Sequence, residues 1–543
     1  MGTVPDPMRP SPSNEEIASA LAEYATLLEL SDASGHAVRA FRRGAELVRS
    51  TPLPIADLAR AGRVKELRGV GPGLERRMRE LVETGHIAEL DELRQTISPE
   101  LAAFGRMHGL PPGRLVAVGA ALGVRTVAEL RAAAAGGRLQ AVPGVGPQTE
   151  ERIAAALAAP PARPPTGLML DRARELCDAV AGALGGIVAG DVRRWVDRPE
   201  RLAVVVATAS PDTARARFAA LPEIVAMLGP DIGVSLDGVP VELAAAAPER
   251  LGTALVEATG SGAYVSALGP LPDAATEDEV YARLGLDPVP VELREADAPP
   301  PRADLLAGSR IRGDLHCHTT WSDGRASVRQ MAEAAVARGY DYLAICDHTR
   351  GVHVVPGLDA DDLRRQAVEI EAANAALHPF RVLRGIECDI RPDGNLDLPD
   401  DILAELEWVQ ISLHAGQRAR RADITARVVH AMHHPAARCL SHPKGRIIGH
   451  RAENALDLDR TFAAALETGV ALEVNGLVSR LDLSATHVRE ALAAGVRLTC
   501  ASDAHSAAGL AGLTNAVHTA RRGGAPASAV VNALPLEAVL TRA

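Results

Sequence analysis

Seven short apolar runs recur after residue 310, and they limit the fold of that region more than any other feature of the sequence. Longer stretches with helical periodicity, such as VRQMAEAAVARG, separate them. Strands that alternate with helices predict a parallel α/β barrel or sheet. The runs are IRGDLHCH (311–318), YLAICDH (342–348), RVLRGIE (381–387), WVQISLH (408–414), RCLSH (438–442), ALEVN (471–475) and RLTCASDAH (497–505).

Six of the seven runs end in a histidine, an aspartate or a glutamate. Because the carboxyl ends of parallel strands form the active-site face of α/β folds, we expect these side chains to meet there. Alternation along a strand also points His316 and His318 in the same direction. The candidate metal ligands are His316, His318, Asp323, His348, Glu387, His414, His442, Asp503 and His505.

This set of side chains predicts several divalent cations. Unpaired carboxylates and imidazoles repel or desolvate one another when packed together, and cations resolve that conflict. Mixed nitrogen and oxygen ligands suit zinc, manganese or iron, and nine ligands exceed the need of one ion. Closely spaced metals fit phosphoester hydrolysis, because they generate hydroxide and stabilise the attacking and leaving oxygens. For any single histidine, a satisfied core position is the alternative.

Two glycine-rich turns mark the N-terminal region. The segments LRGVGPGLERRMRELVETG (67–85) and QAVPGVGPQTEERIAAAL (140–157) each place a G-V-G turn before a helix. This is the helix-hairpin-helix signature, in which the glycines and the helix N-terminus can approach a DNA phosphate. An ordinary helical hairpin is the alternative. The candidate DNA-binding residues are Gly69, Gly71, Gly73, Arg76, Arg77, Gly144, Gly146, Arg39, Arg42 and Arg43.

The chain of 543 residues is too long for one core, so we expect several domains. Its six single cysteines indicate a reducing cytoplasm, and no apolar run approaches membrane-spanning length. A net charge of -11 argues against a global nucleic-acid coat but allows a local basic face. We predict a disordered tail (1–13), a helical domain with the first helix-hairpin-helix motif (14–90), a second helix-hairpin-helix domain (91–160), a proline-rich linker (159–166), an α+β domain (167–295), a linker (296–310) and a metal-dependent domain (311–543).

The C-terminal motifs resemble those of the PHP (polymerase and histidinol phosphatase) family. They are GDLHCHTTWSDG, ICDHT, GIECDI, SLHA, SHPKGR, EVNG and ASDAH. The resemblance implies a distorted seven-stranded barrel with three divalent ions, which are manganese, zinc or iron. It assigns the first ion to His316, His318, Glu387 and Asp503, the second to Glu387, His414 and His442, and the third to Asp323, His348 and His505.

The same resemblance suggests further roles for individual residues. Glu387, Asp503, His442 and Lys444 are expected to be catalytic. Lys444 and Arg480 are candidates to bind a substrate phosphate, because both carry a positive charge close to the motifs. A solvated surface charge is the alternative for each.

Nearly the whole chain resembles bacterial and archaeal family X DNA polymerases that carry a C-terminal PHP domain. The segments NEEIASALAEYATLLEL, AVRAFRRGAELV and GLDPVPVELREA carry this resemblance outside the metal motifs. It implies DNA as the partner, a DNA-end-binding domain at 14–90 and a palm-like domain at 167–295. In that family the polymerase fills short gaps, and the PHP domain is a manganese-dependent 3′-5′ exonuclease that also processes abasic sites and 3′ ends.

The polymerase centre is where this sequence departs from that family. The family places a G-S-x-R-R turn before a strand with Asp-x-Asp, whereas GDVRR (190–194) precedes Arg201 and Ala203 here. A third carboxylate survives at best as Glu242. Arginine repels the two metals that nucleotidyl transfer requires, so we predict a palm with little or no polymerase activity. Asp197 could substitute as a ligand, but it precedes the strand and lies out of register.

The lyase centre of the family is also altered. The helix after the first hairpin offers Arg76 and Arg77 where a lysine would form a Schiff base, and a guanidinium stays protonated. Lys65 lies before the hairpin. A monomeric, cytoplasmic DNA-end-processing phosphoesterase is therefore the leading hypothesis. An active gap-filling polymerase, a histidinol-phosphatase-like small-molecule phosphatase and a DNA-binding scaffold are the alternatives.

Overall fold

The structure is a computed structural model. It describes residues 11–31, 34–50, 54–67, 69–158, 167–352 and 355–541. Most of the predicted tail and the whole predicted linker 159–166 lie outside these residues.

The described residues form two groups of β-strands. The strands are β1 (Ile187–Ala189), β2 (Leu202–Ala207), β3 (Ile224–Gly229), β4 (Ile232–Ser235), β5 (Pro240–Ala246), β6 (Gly313–Cys317), β7 (Tyr342–Ile345), β8 (Arg381–Asp389), β9 (Trp408–Ser412), β10 (Ala437–Leu440), β11 (Ala471–Asn475) and β12 (Leu498–Ala501).

Helices fill the N-terminal region and follow most strands of the C-terminal region. They are α1 (Asn14–Leu30), α2 (Gly35–Ser50), α3 (Ile55–Arg60), α4 (Pro72–Thr84), α5 (Ala88–Thr96), α6 (Pro99–Met107), α7 (Pro112–Leu122), α8 (Val127–Ala135), α9 (Pro147–Ala158), α10 (Leu170–Leu184), α11 (Gly190–Arg193), α12 (Pro211–Ala219), α13 (Leu251–Thr259), α14 (Gly262–Leu268), α15 (Glu277–Leu284), α16 (Val328–Ala337), α17 (Ala360–Leu377), α18 (Asp400–Ala404), α19 (Arg421–Met432), α20 (Leu458–Thr468), α21 (Ala485–Ala494), α22 (Leu513–Arg522) and α23 (Leu536–Leu540).

The chain divides into two compact units. The first contains residues 1–167, 182–185 and 210–245, and the second contains residues 168–181, 186–209 and 246–543. The predicted palm-like segment 167–295 is thus shared between the units. The sequence-based domain boundaries stay predictions.

The first unit is mainly helical. Its largest core gathers apolar side chains from α1 to α5, including Leu21, Ile55 and Met78. Helix α1 begins with a capping box, in which the hydroxyl of Ser13 accepts from Glu16 N and the Glu16 carboxylate accepts from Ser13 N. Strands β3, β4 and β5 form an antiparallel meander. A hairpin turn connects β4 and β5, with Gly238 at φ +76°.

The second unit contains β1 and β2, which pair antiparallel, and a seven-stranded sheet. The strand order of this sheet is β12-β11-β10-β9-β8-β7-β6, and all neighbouring strands are parallel. Its two edges approach each other, because His318 N donates to Ala504 O at 2.8 Å and Asp503 N donates to His316 O at 3.1 Å. The predicted seven-stranded barrel is therefore confirmed, and its parallel strands form a nearly closed barrel.

Burial on both faces explains why the barrel strands appear as apolar runs in the sequence. Every residue of β6, β7, β9, β11 and β12 is buried. Helix α16 begins at a capping box of Ser327 and Gln330 and buries Met331 and Ala335. Part of the predicted linker 296–310 is also packed, since Leu306 is fully buried and its N–H donates to Ala525 O.

Candidate metal centre

The carboxyl ends of the barrel strands bring all nine predicted ligands together at one end of the sheet. His316 and Glu387 lie within β6 and β8, and the others follow their strands by one to a few residues. His316, His318, His348, Glu387, His442 and Asp503 are buried, whereas Asp323, His414 and His505 are partly exposed. This gradient gives the cluster one side that solvent and a substrate can reach.

Glu387 lies at the centre of the cluster. Its Oε2 is 2.9 Å from His348 Nδ1, 3.5 Å from His316 Nε2 and 3.7 Å from His318 Nε2. Its Oε1 is 2.9 Å from His442 Nε2 and 3.4 Å from His414 Nε2. A carboxylate with imidazoles on both oxygens has the arrangement that a bridging ligand requires.

Two other carboxylates anchor the flanks of the cluster. Asp503 Oδ1 lies 3.1 Å from His318 Nε2. On the more exposed flank, Asp323 lies 3.3 Å from His505 Nε2 and 3.7 Å from His348 Nε2. Three groups of side chains have ligand atoms close enough to share an ion: His318, Asp323, His348 and His505; His316, His318 and Asp503; and His348, Glu387 and His414.

These groups overlap with the sets implied by the resemblance but do not reproduce them. His318 belongs to two groups, and His348 contacts Glu387 as well as Asp323. His442 contacts Glu387 but belongs to none of the three. The assignment of each residue to a particular ion therefore stays a prediction.

Buried polar atoms without partners show that the cluster fits metal ions. Among the described residues, His318 Nδ1, His348 Nδ1 and Glu387 Oε2 are buried and form no hydrogen bond, since the last two lie 2.9 Å apart without the N–H···O angle of one. Leaving a carboxylate oxygen and imidazole nitrogens desolvated and unpaired is costly, and divalent cations would satisfy all three. Nitrogen and oxygen donors of this kind suit zinc or manganese.

The backbone at two ligands is held in an unusual conformation. His442 has φ +26° and Asp503 has φ +53°, a region that residues with a Cβ rarely adopt. Each residue lies two positions after the end of its strand, where its side chain joins the cluster. Such conformations persist where the surrounding structure imposes them, and they concentrate at functional sites.

Electrostatics couple the histidines to the carboxylates. Although burial opposes it, the charge of Glu387 and the Asp389 carboxylate raise the pKa of His414 to about 9. Asp323 and Asp503 likewise outweigh burial and raise the pKa of His505 to about 9. Burial, followed by the charges of His348 and His505, lowers the pKa of His318 to about 4. Metal ions must therefore compete with protons at His414 and His505.

Sequence reasoning missed the carboxylate that orients His316. Glu473 Oε1 lies 2.6 Å from His316 Nδ1, so that ring nitrogen donates the hydrogen bond and Nε2 faces the cluster. Gln410 Nε2 also donates to Glu473 Oε1, and His442 N donates to Glu473 Oε2 at 2.7 Å. The signal in the sequence is a glutamate within the apolar run ALEVN.

Two further buried aspartates were also missed. Asp389 Oδ1 lies 3.3 Å from His414 Nδ1 and accepts a hydrogen bond from His414 N. Asp347 accepts from Thr319 N and from the side chains of Thr319 and Ser322, in the loop that carries Asp323. Both residues therefore position ligands.

The structure treats the two candidate phosphate ligands differently. Arg480 is partly exposed, and its Nε lies 3.7 Å from Asp503 Oδ2, at the edge of the cluster. Lys444 is buried, and its ammonium donates to the Leu456 carbonyl at 3.0 Å. Burial also lowers the pKa of Lys444. This geometry favours Arg480 and does not favour the predicted catalytic and phosphate-binding roles of Lys444.

The predicted DNA-binding residues of the first unit lie around the two turns. Gly71 is the N-cap of α4, Gly69 has φ +98°, and a Cβ added at either position would meet no neighbour within 4 Å. In the second turn Gly144 has φ +82° and its carbonyl accepts from Arg114. Gly73 follows the start of α4, and Gly146 directly precedes α9.

The arginines predicted to bind DNA differ in how exposed they are and in whether they form ion pairs. Arg39, Arg43 and Arg76 are exposed. Arg42 is exposed but pairs with Glu29 at 2.7 Å. Arg77 is only 13% exposed, contacts Glu80 and Glu89, and lies over the ring of Tyr24. The prediction that Arg77 binds DNA is therefore not favoured by its contacts.

The palm-like residues of the second unit hold their carboxylates in ion pairs. Asp191 accepts from Arg194 Nη2 at 2.6 Å and from the backbone N–H groups of Glu200 and Arg201. Asp197 pairs with two arginines, Arg446 and Arg522. Arg201 directly precedes β2, and Ala203 lies within it.

Comparisons with known proteins agree with these features. Residues 12–87 match a helix-hairpin-helix domain family, residues 106–159 a SAM-like helix-hairpin-helix tandem family, and residues 314–476 the PHP domain family. Two probable phosphatases are also similar to this chain. The one from Acetivibrio thermocellus is 29% identical over 35% of this chain, and the one from Photobacterium profundum is 26% identical over 42% of it. These matches cover 78% and 89% of the phosphatases themselves.

Fold and site together define an enzyme with a metal-dependent PHP phosphoesterase domain and helix-hairpin-helix domains, which imply DNA binding. The DNA polymerase/3′-5′ exonuclease PolX of Bacillus subtilis is 31% identical over 97% of this chain and 98% of its own length. The chain belongs to the PolX family. Among the described residues, no helix has both the length and the apolar character needed to cross a membrane.

Proposed function

We propose that this protein hydrolyses phosphodiesters at DNA ends through its PHP domain, as a 3′-5′ exonuclease that also processes 3′ ends or abasic sites. The observation that carries the proposal is the cluster of Glu387 and the eight other predicted ligands, with buried polar atoms that no hydrogen bond satisfies. The relative in Bacillus subtilis that spans nearly the whole chain is named as a 3′-5′ exonuclease.

The cluster would hold three divalent ions, which we propose to be manganese or zinc. Glu387 would bridge ions, Asp503 and Asp323 would hold the flanks, and the histidines would complete each set. Bound ions would lower the pKa of a water molecule and stabilise negative charge on the phosphoryl oxygens. This assignment makes Glu387, Asp503 and His442 ligands whose catalytic role is to hold the ions.

The residues of the chain itself orient the substrate and the ligands. Glu473 holds the proton on His316 Nδ1, which leaves Nε2 free to bind an ion. Arg480 can donate a pair of hydrogen bonds to nonbridging phosphate oxygens. The partly exposed edge at Asp323, His414 and His505 would admit the end of a DNA strand, while the buried side excludes bulk water.

A labelled single-stranded oligonucleotide tests this proposal directly. With manganese, the wild-type protein should shorten a 5′-labelled strand one nucleotide at a time, and a His316→Ala/His318→Ala variant should not. Blocking the 3′ end with a phosphorothioate linkage should stop the reaction. No cleavage by the wild type, or equal cleavage by the variant, would refute the proposal.

The first unit would supply the contacts that hold DNA. Exposed Arg39, Arg43 and Arg76 are the best placed of the predicted arginines. Replacing all three by alanine should weaken duplex binding and reduce the slope of log affinity against log salt by about 3, because each phosphate contact contributes about 0.9. A triple lysine variant is the matched control and should keep most of the slope. An unchanged slope in the alanine variant would place the interface elsewhere.

We also propose that the palm-like region has little or no polymerase activity. Arg201 and Ala203 stand where two metal-binding aspartates are expected, and Asp191 and Asp197 are held by arginines. The alternative is an active gap-filling polymerase, which the name of the same relative supports. Primer extension on a one-nucleotide gap decides between them, and extension that Glu242→Ala abolishes would overturn this part of the proposal.

A small-molecule phosphatase is the other alternative. The probable phosphatases match only 35% and 42% of the chain, and a small substrate has no use for two helix-hairpin-helix domains. Faster hydrolysis of a phosphate monoester such as histidinol phosphate than of an oligonucleotide would support it. The monomeric state and the cytoplasmic location stay predictions, and light scattering after gel filtration tests the first.

A further inference from the structure

The turn that carries Arg480 is held by residues outside the metal cluster. Within this turn, the N–H groups of Arg480 and Leu481 both donate to the Leu477 carbonyl, at 2.7 and 2.9 Å. Leu481 has φ +45°, a region that a residue with a Cβ rarely adopts without support. The orientation of Arg480 towards Asp503 therefore depends on contacts that keep this turn in place.

Arg446 provides those contacts. Its Nε donates to the Arg480 carbonyl at 2.7 Å, and its Nη2 donates to the Leu481 carbonyl. A planar guanidinium that holds two successive carbonyls fixes both the position and the direction of the turn. Because Arg446 is largely buried, its own position requires a counter-charge.

Asp197 from the palm-like region supplies that counter-charge. Its Oδ2 lies 2.5 Å from Arg446 Nη2, and its Oδ1 lies 3.2 Å from Arg522 Nη1. Arg522 also donates to Glu295 at 2.9 Å. Both oxygens of Asp197 are thus engaged by arginines, which leaves this carboxylate unsuited to bind a metal for nucleotidyl transfer.

Aromatic and apolar packing fixes Asp197 against the PHP domain. Trp195 stacks on His518 with ring centroids 3.8 Å apart, and the Arg174 guanidinium lies 3.9 Å from the Trp195 centroid. Nearby, Leu170, Ile448 and Leu481 form a small buried cluster that Trp195 also contacts. The same cluster therefore joins α10, the loop of Trp195 and the Arg480 turn.

We propose that Asp197 is a positioning residue for the phosphoesterase site, acting through Arg446 on the turn that presents Arg480. The palm-like region then serves as a brace for the phosphoesterase site. The inference rests on the proposed function only where it takes Arg480 to contact a substrate phosphate. Asp197 itself does not touch the cluster, so it is not a catalytic residue.

Amide hydrogen exchange on the full-length protein tests the brace without any assay of activity. Asp197→Ala should speed exchange in the segment 477–482 by about tenfold, the effect of losing about 1.4 kcal/mol of local support. Arg198→Ala is the matched control, because Arg198 is the exposed neighbour on the same loop, and it should leave that segment unchanged. Unchanged exchange in Asp197→Ala would overturn the proposal, and so would equal acceleration in β8, which would indicate general destabilisation.

A double-mutant cycle tests whether the effect passes through Arg480. Calorimetry with inorganic phosphate and the manganese-loaded protein should show weaker binding in Asp197→Ala and in Arg480→Ala, each by about tenfold. The double variant should bind no more weakly than Arg480→Ala, and Asp197→Glu should recover part of the affinity. Additive losses would overturn the proposal. If the wild-type protein cleaves no DNA, the proposed function fails, while the exchange experiment still decides on the brace.

Discussion

At the carboxyl ends of the barrel strands, carboxylates face imidazoles, whereas around β2 they face guanidinium groups. Glu387 is surrounded by five histidines, which can exchange a proton for a metal ion. Asp191, Asp197 and Glu277 are paired with arginines, which stay charged and leave no room for a cation. A carboxylate therefore indicates a metal site only together with the partner that the fold gives it.

The pKa values of Glu277 and Glu387 show the same contrast between the two sets of acids. Although burial opposes it, Arg193 and Arg294 lower the pKa of Glu277 below its usual value. Glu387 is also shifted down against the effect of burial, but by histidines. In the first case the compensating charge is permanent, and in the second it is lost when the histidines deprotonate, so only the second site gains from binding cations.

The largest expected effect comes from removing ligands at the barrel. The His316→Ala/His318→Ala variant should lose at least about a thousandfold in hydrolysis, since loss of an outer partner alone costs about 10–100-fold. Elemental analysis should show fewer bound ions per chain, and circular dichroism should show an intact fold. His487→Ala, a histidine on α21 outside the cluster, is the control. Full metal content in the double variant would contradict the assignment of these ligands.

Removing the metals should be the next largest perturbation. Dialysis against a chelator leaves Glu387 Oε2 and the imidazoles buried without a cation, so the PHP domain should unfold at a lower temperature. Ions present at a thousand times their dissociation constant stabilise by about 4 kcal/mol. Calorimetry with and without manganese measures this shift. An equal response in the His316→Ala/His318→Ala variant would show that the ions act elsewhere.

Glu473 is a third kind of carboxylate, because it is not a predicted ligand but orients one, His316. Glu473→Gln should lower metal affinity by about 10–100-fold, since a neutral amide oxygen is a weaker acceptor for His316 Nδ1–H than the charged carboxylate. Competition with a chelating dye measures the affinity. Glu467→Gln, an exposed glutamate on α20, is the matched control. An unchanged affinity in Glu473→Gln would mean that the charge of Glu473 does not contribute to metal binding.

The ligands at the strand ends could be predicted from the sequence for two reasons. Side chains alternate along a strand, and the carboxyl ends of parallel strands meet at one edge of the sheet. His316, Glu387 and Asp503 followed from those rules. The role of Glu473 could not be predicted, because its partner His316 lies 157 residues away and only the folded barrel brings them together. Lys444 shows the converse limit: its place beside His442 is evident in the sequence, but the direction of its side chain depends on the Leu456 carbonyl.

Replacing Asp191 should have the smallest effect on hydrolysis, because its carboxylate is paired with an arginine and not with the histidines of the metal cluster. Its carboxylate accepts from Arg194 and from two backbone N–H groups, and it is largely buried. Asp191→Ala should therefore lower the free energy of unfolding by about 3 kcal/mol, because it leaves the buried Arg194 charge with fewer partners. Urea denaturation measures this change.

Metal content and oligonucleotide hydrolysis of Asp191→Ala should stay within about twofold of the wild type, since a ratio of two corresponds to only about 0.4 kcal/mol. A large loss of bound metal in this variant would show that the arginine-paired carboxylates still bind ions, and the contrast between the two regions would no longer hold.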